Sequence, residues 1–283
     1  MLKIALPNKG SLSDGAVSLV SEAGYKCSRY DKELSRVDAA NDIDFFFLRP
    51  RDIATYVARG VIDLGITGRD LNLDAQVPAL EVLPLGFGKS TFRYAVPNDS
   101  DLTPDRLSGK RIACSYRNIV ERDLAARGIS DATVVRVDGA VEISIHLGIA
   151  DAVADVVESG RTLRQAGLKT VGEPVMESEA IVVAADAGRA ACAQSQTFLK
   201  RIKGILVARE YAMIEYDVHR DRLPQAVTLT PGIEAPTVAP LNDPAWVAVK
   251  AMIKKKGLND VVDALSEIGA AGIVVTDIRT CRL

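Results

Sequence analysis

Short apolar runs alternating with amphipathic ones, each pair parted by a turn rich in Gly, Pro or Asn, restrict this chain more than any other property it has. LKIAL at 2–6 reads as a buried strand, Pro7-Asn8-Lys9-Gly10 as a turn, and 11–23 as a helix capped by Ser11 or Ser13. IDFFFL at 43–48, a helix at 51–58 closed by Gly60, VIDLGI at 61–66 and a helix start at Arg69-Asp70-Leu71 continue the series. It restarts at FRYAV (92–96) with a short TPDRLSG helix, RIACSY at 111–116, a helix at 118–127, TVVRV at 133–137 and a helix from about 140. DAVADVV at 151–157, a short helix from 162, LKTVGEPV and EAIVVAA close it. Strand-helix alternation predicts mostly parallel sheets covered on both faces, and the restart predicts two α/β lobes rather than one large sheet.

After a long helix pattern at 189–209 the order changes. YAMIEYDV, a short helix at 222–226, PTVAPL, WVAVKAMI, the helix LNDVVDALSEIG and AGIVVTDI read as strand, helix, strand, strand, helix, strand. That is the ferredoxin-like split unit, an antiparallel α+β sheet with helices on one face. The expected division is 1–90 with 184–210 as a first lobe, 91–183 as a second, and 211–283 as a separate domain of ordinary size.

Several function classes are set aside by composition. The formal charge is only -2, so no nucleic-acid or anionic-membrane surface is expected, and an anionic ligand must be held by local geometry. No run nears the roughly 20 apolar residues of a membrane helix, and the amino-terminal apolar stretch is broken at Pro7, too early for a signal peptide. Cys27, Cys114, Cys192 and Cys281 stand singly and the only histidines are His146 and His219, which is poor material for disulfides or a zinc site. A reducing, cytoplasmic setting is the expectation.

The chemistry gathers in turns that follow strands. In DAVADVVESGRTL (151–163), alternation sends Asp151 and Asp155 to one face, near the strand end where open α/β sheets hold ligands. The turn Glu158-Ser159-Gly160-Arg161-Thr162 then opens a helix, so backbone N–H groups, two hydroxyls and a guanidinium converge on a volume that suits a phosphate. Gly160 permits close backbone approach, and Arg161 offers a charge-assisted pair. A ligand-free reading competes, with Ser159 or Thr162 as a plain N-cap, and caps are commoner than phosphate sites. The acids upstream weigh against it, because a buried carboxylate needs partners and ribose hydroxyls can supply them. The turn Asp138-Gly139-Ala140-Val141-Glu142 reads either as a second such site or as a capping arrangement. Lys9 in LPNKGSLS and the glycines of GITGRDL offer the same geometry more weakly.

LPNKGSLS, FFFLRPRDIATYVARGVIDLGITGRDL, LGFGKSTFRYAVP, DGAVEISIHLGIADAVADVVESGRTL and APTVAPL together closely resemble the long form of ATP phosphoribosyltransferase, over essentially the whole chain. The resemblance implies two periplasmic-binding-protein-like lobes flanking a catalytic cleft and a ferredoxin-like regulatory domain. It implies that N1 of ATP joins C1' of phosphoribosyl pyrophosphate, with release of pyrophosphate, inversion and help from Mg2+, as the first step of histidine biosynthesis. By the same resemblance Asp138, Gly139, Glu142, Asp155 and Glu158, Ser159, Gly160, Arg161 and Thr162 hold the phosphoribosyl donor. Lys9 and Arg49 neutralise phosphates and count with Glu142 as catalytic, while Gly10, Ser11, Arg69, Asp70, Gly88 and Tyr116 lie on the ATP side. Feedback inhibition by histidine is placed at Asp217, Thr237 and Gly272, AMP is allowed as a further inhibitor, and a homodimer that assembles into a hexamer is implied. Mg2+ is expected on substrate phosphates and water rather than in a protein cage.

Two other readings stay open on the sequence. A two-lobed cytosolic sensor would share the cleft but has no need of a phosphate turn beside an acidic strand. A phosphoribosyltransferase with another base as acceptor would share the donor half.

Overall fold

The computed structural model describes residues 1–28, 33–77 and 79–282. By contacts the chain forms two units, Met1–Thr197 and Phe198–Leu283.

The first unit opens with β1 (Leu2–Pro7), α1 (Ser11–Glu22), β2 (Ser35–Asp38), β3 (Ile43–Leu48), α2 (Pro50–Ala58), β4 (Leu64–Gly68), α3 (Arg69–Asp74) and β5 (Leu80–Pro84). It goes on with β6 (Ser90–Pro97), β7 (Arg111–Cys114), α4 (Arg117–Ala126), β8 (Thr133–Arg136), α5 (Ile143–His146), β9 (Ala152–Val157), α6 (Arg161–Gln165), β10 (Leu168–Ser178), β11 (Ala180–Ala184) and α7 (Ala187–Ala191). Two sheets result, in the orders β2-β3-β1-β4-β11-β5 and β10-β6-β9-β7-β8. The most fully buried runs are central strands: LGITG of β4 and AIVVA of β11 are buried throughout, as strands covered on both faces must be.

The sheets are mixed, where alternation alone predicts mostly parallel ones. β1 runs parallel to β3 and β4, and β7 parallel to β8 and β9, but β11 is antiparallel to β4 and β5, and β6 antiparallel to β9 and β10. The cause lies in the two helix-free crossings between the sheets. β10 passes into β11 through Glu179 alone, and β5 into β6 through 85–89, so each returning strand lies against the direction of its neighbours. Glu179 ties the crossings together: its backbone C=O accepts from Arg69 N–H, and its carboxylate accepts from Gly86 N–H (2.8 Å) and the Arg69 guanidinium (3.2 Å).

Local departures have local causes. The expected helix at 189–209 is broken at Cys192, whose extended backbone (ψ 149°) ends α7 before α8 (Ala193–Glu210) begins. Neither Ser11 nor Ser13 caps α1; Gly10, at φ +76°, is its N-cap. The strand expected at 61–66 begins only at Leu64, and the TPDRLSG helix is a single 3-10 turn at Pro104–Arg106. β2 and β5 escape the apolar pattern because they are sheet edges with exposed positions.

The second unit holds β12 (Tyr211–His219), α9 (Leu223–Leu229), β13 (Thr237–Pro240), β14 (Trp246–Lys254), α10 (Leu258–Glu267) and β15 (Ala271–Asp277). Its sheet order β13-β14-β12-β15, antiparallel throughout, is the ferredoxin-like arrangement the element order predicts. β12 alternates half-buried and buried, and its inward residues Ile214, Tyr216 and Val218 pack with Ala226, Val249 and Leu265. The buried Tyr216 hydroxyl is satisfied by Thr230 at 2.7 Å. Among the described residues no helix is long and apolar enough to cross a membrane.

Candidate active site

β1, β3 and β4 are adjacent and parallel, so their carboxyl ends bring three turns together. Pro7 pairs with Leu48 in register and Asn8 N–H donates to the Leu48 carbonyl at 2.8 Å, which sets the exposed Lys9, Gly10 and Ser11 beside the exposed Arg49. Arg69 and Asp70 follow β4. Gly88, at φ +63°, lies in the 85–89 crossing against α1; a Cβ there would come within 2.9 Å of the Leu12 side chain. The second sheet repeats the arrangement. β7, β8 and β9 run parallel and end at Tyr116, at the 138–142 turn and at the 158–162 turn.

These ends lie close across a groove. The carboxylates of Glu142 and Asp70, from the two sides, both push the Asp155 pKa upward, after the larger effect of its own burial. Asp155 titrates at about 6, although Val156 N–H donates to its carboxylate at 2.8 Å. A cavity of about 400 Å3 is lined by Glu142, Asp155 and all five residues of the 158–162 turn. Asp138 and Gly139 fall outside its lining.

The 158–162 turn depends on Gly160, which takes φ +68° as the N-cap of α6. No side chain caps this helix, contrary to the plain-cap reading; Ser159 Oγ makes only a long contact, accepting from Arg161 N–H at 3.4 Å. The side chains of Glu142, Glu158, Arg161 and Thr162 form no ion pair or hydrogen bond among the described residues. Before α5, Gly139 and Ala140 both take positive φ (80° and 45°), the second a strained value for a residue with a Cβ. That turn delivers Glu142 to the cavity and delays the helix expected from 140.

Asp151 does not join Asp155. It sits at the other end of β9, roughly 13 Å away at strand rise, and Arg111 engages it through its backbone N–H (2.9 Å), Nε (3.3 Å) and Nη2 (2.8 Å). Those bonds hold its carboxyl below the usual range.

On the opposite side the charged groups around Tyr116 are matched, the exposed Lys9 and Arg49 apart. Arg69 donates from Nε and Nη2 to Glu81 (2.9 and 2.8 Å) and again to Glu179, and these bonds, Glu81's first, push its pKa still further up. The Asp70 carboxylate is buried and accepts from Ser178 Oγ at 2.8 Å and from the Tyr116 hydroxyl. Burial first, and Asp70 after it, drive the Tyr116 phenol upward, so it stays a neutral donor. Arg51 lies over the Tyr116 ring at 4.8 Å, and Phe92 meets the ring edge-on at 5.5 Å. No spacing in the sequence marks Arg51, Asp74, Asn118 and Ser178, and only the packing of the two sheets joins them. Cys114, at the end of β7, is no nucleophile, since burial pushes its thiol up to about 11.

In the second unit, Asp217 and Gly272 are brought together, with Asp217 Oδ2 3.7 Å from where a Gly272 Cβ would be. Thr237 stands apart on β13, paired with Lys250 of the intervening β14.

A family model described as "ATP phosphoribosyltransferase" matches residues 49–204, and one described as "HisG, C-terminal domain" matches residues 208–280. An ATP phosphoribosyltransferase of Salinibacter ruber is 56% identical over 284 residues, covering 100% of both chains. One of Corynebacterium diphtheriae is 54% identical over 283 residues, again covering 100% of each. Among solved structures, an "ATP phosphoribosyl transferase (HisG:HisZ) complex" of Thermotoga maritima is similar with a TM-score of 0.64 at 25% identity, over 73% of this chain and 98% of that one.

Proposed function

The chain belongs to the ATP phosphoribosyltransferase family and carries that activity in histidine biosynthesis, and from this premise we propose how its groups share the reaction. The 158–162 turn and α6 hold the 5'-phosphate of the donor, with Arg161 and the Thr162 hydroxyl as side-chain partners. Asp155 and Glu142 accept from the ribose hydroxyls, and Asp138 and Gly139 shape the turn that delivers Glu142. Lys9 and Arg49, side by side beyond β1 and β3, neutralise the departing pyrophosphate. Gly10, Ser11, Arg69, Asp70, Gly88 and Tyr116 form the ATP side. The observation that carries this division is a cavity lined by two acids and a glycine-bearing turn whose charged side chains have no partner among the described residues.

The chemistry needs little more than placement and charge. The lone pair of ATP N1 attacks C1' as the bond to pyrophosphate breaks and its electrons leave with the oxygen, so positive character grows on the ribosyl carbon and negative on the leaving group. Carboxylates near the ribose and cations near the pyrophosphate match those two changes. The donor set also fits Mg2+. Among the described residues no group of three or more His, Cys, Asp or Glu forms a cage, but Glu142 and Asp155 are hard oxygen donors, close enough that Glu142 disfavours the ionised form of Asp155. They would hold the ion together with substrate oxygens and water, and it would add positive charge where pyrophosphate leaves.

Because β11 (Ala180–Ala184) lies in the first sheet and β6 begins the second at Ser90, we place the lobes at 1–89 with 180–210 and at 90–178, rather than at 1–90 with 184–210 and at 91–183, and a histidine-responsive domain at 211–283. Histidine would meet Asp217 and Gly272 on one side of that sheet, with Thr237 a more distant contact, and inhibit by favouring one of two arrangements. Assembly into homodimers and hexamers belongs to the same reading. Incubation with ATP, Mg2+ and phosphoribosyl pyrophosphate should give phosphoribosyl-ATP and pyrophosphate in equal amounts, at a rate that histidine lowers. No product under conditions where both substrates bind would refute the assignment.

A further inference from the structure

Asp74, the last residue of α3, has no place in the division above, yet its side chain is only 8% exposed and both of its oxygens are engaged. Oδ2 accepts from Arg51 Nη1 at 2.7 Å, and Oδ1 accepts from the backbone N–H of Asn118 at 2.9 Å. The Asn118 amide returns a bond to the Asp74 carbonyl at 2.6 Å. Asn118 lies in the first turn of α4, directly after Tyr116 and Arg117, so Asp74 takes up a helix-entrance N–H that has no intrahelical partner. Through Arg51 the same carboxylate governs the group stacked on the Tyr116 ring.

Tyr116 is thus fixed at three points: its hydroxyl by Asp70, one ring face by Arg51, and the ring again by a T-shaped contact with Phe92. Among the described residues Asp74 is the one side chain that bonds to both Arg51 and the helix that follows Tyr116. Arg51 and Asp74 come from α2 and α3 beside the first sheet, whereas Tyr116 and Asn118 begin the helix beside the second. A buried carboxylate is costly unless its partners are charged or preformed, and both of Asp74's are. We infer that Asp74 is a positioning residue for the nucleotide side of the reaction, holding Arg51 against Tyr116 with one oxygen and the α4 entrance with the other, so that the ring meets the purine in one pose. The inference rests on the reading that Tyr116 borders the ATP site.

The substitution Asp74→Asn keeps an acceptor for Asn118 N–H but removes the charge that holds Arg51. Calorimetric titration of the full-length protein with ATP and, separately, with ribose 5-phosphate should show ATP affinity weakened about tenfold and ribose 5-phosphate affinity within about twofold of wild type. In turnover, KM for ATP should rise while KM for the donor stays. Arg51→Lys keeps a cation beside Asp74 but gives up the planar stack, and should show the same split; it carries the test alone if Asp74→Asn does not fold. Combining the two substitutions should weaken ATP binding little beyond the worse single one, because both act on the same ring. ATP affinity unchanged in both variants, or an equal loss for both ligands, would overturn the inference and leave Asp74 as a structural tie. Failure of the underlying reading would look different: Tyr116→Ala would then leave ATP affinity of the otherwise wild-type protein unaltered.

Discussion

On one side of the groove the charged side chains around Tyr116 are already matched with one another, the exposed Lys9 and Arg49 apart, and on the other they are not. Arg69 is held by Glu81 and Glu179, Arg51 by Asp74, and the Asp70 carboxylate by Ser178 and Tyr116. Across from them Glu142, Glu158, Arg161 and Thr162 line a cavity with no side-chain partners among the described residues, and burial pushes Asp155 up to about 6. A matched network is rigid before a ligand arrives, so it can present a surface for stacking with little ordering. An unmatched cradle is left unsatisfied by folding and becomes satisfied by an anion and a sugar, so its ligand should add stability as it binds. The division suits a reaction in which the donor's phosphate and ribose are gripped by direct polar contacts, while the acceptor's purine is presented to a preformed surface.

The sharpest way to break this contrast is Arg161→Ala. Donor or ribose 5-phosphate affinity should fall by about 1–3 kcal/mol, the loss of charged hydrogen bonds, with ATP affinity unchanged by calorimetry. Equal losses for both would mean that the cavity is shared and the two sides are not distinct.

A second effect follows from Asp155. A ribose hydroxyl donates to its ionised form, so donor affinity should rise with pH through about 6 and be about tenfold weaker at pH 5 than at pH 7. The free protein moves the other way. The folded value lies above the 3.8 of an ordinary aspartate, so the folded state binds more protons between about 4 and 6, and this group's contribution to stability falls as pH rises through that window. Donor affinity flat across it, measured with ribose 5-phosphate to avoid titrating pyrophosphate, would contradict the role given to Asp155.

Smaller again is Gly160→Ala. The Arg164 guanidinium 3.0 Å from the added methyl can swing away, so the cost is that of the left-handed backbone, about 1 kcal/mol of stability by denaturant titration. Donor affinity should weaken with it. The smallest effect serves as calibration: Glu121→Gln removes an exposed i,i+4 partner of Arg117 and should change stability by less than about 0.5 kcal/mol, with neither ligand affected.

The same contrast explains what could be read from the sequence. The donor cradle is local: a strand, a glycine turn and a helix entrance within 151–163 announce themselves in order, and the structure keeps them so apart from Asp151, whose alternation was right but whose end of the strand was not. Lys9 and Arg49 are likewise neighbours because parallel strands align their ends. The matched side is assembled from residues as far apart as Asp70 and Ser178, or Asp74 and Asn118, and no spacing in the chain connects them. Sheet direction was missed for a related reason. Alternation reports that a strand is buried, whereas the antiparallel return of β11 depends on a crossing through Glu179 that has no periodicity at all.

The position of the donor's phosphate distinguishes the two sides most directly. A crystal structure with ribose 5-phosphate should show the phosphate on the 158–162 turn within hydrogen-bond reach of Arg161 and Thr162, its hydroxyls toward Asp155 and Glu142, and Arg69 still joined to Glu81 and Glu179. A phosphate bound instead between Lys9 and Arg49, with the 158–162 turn untouched, would contradict that division.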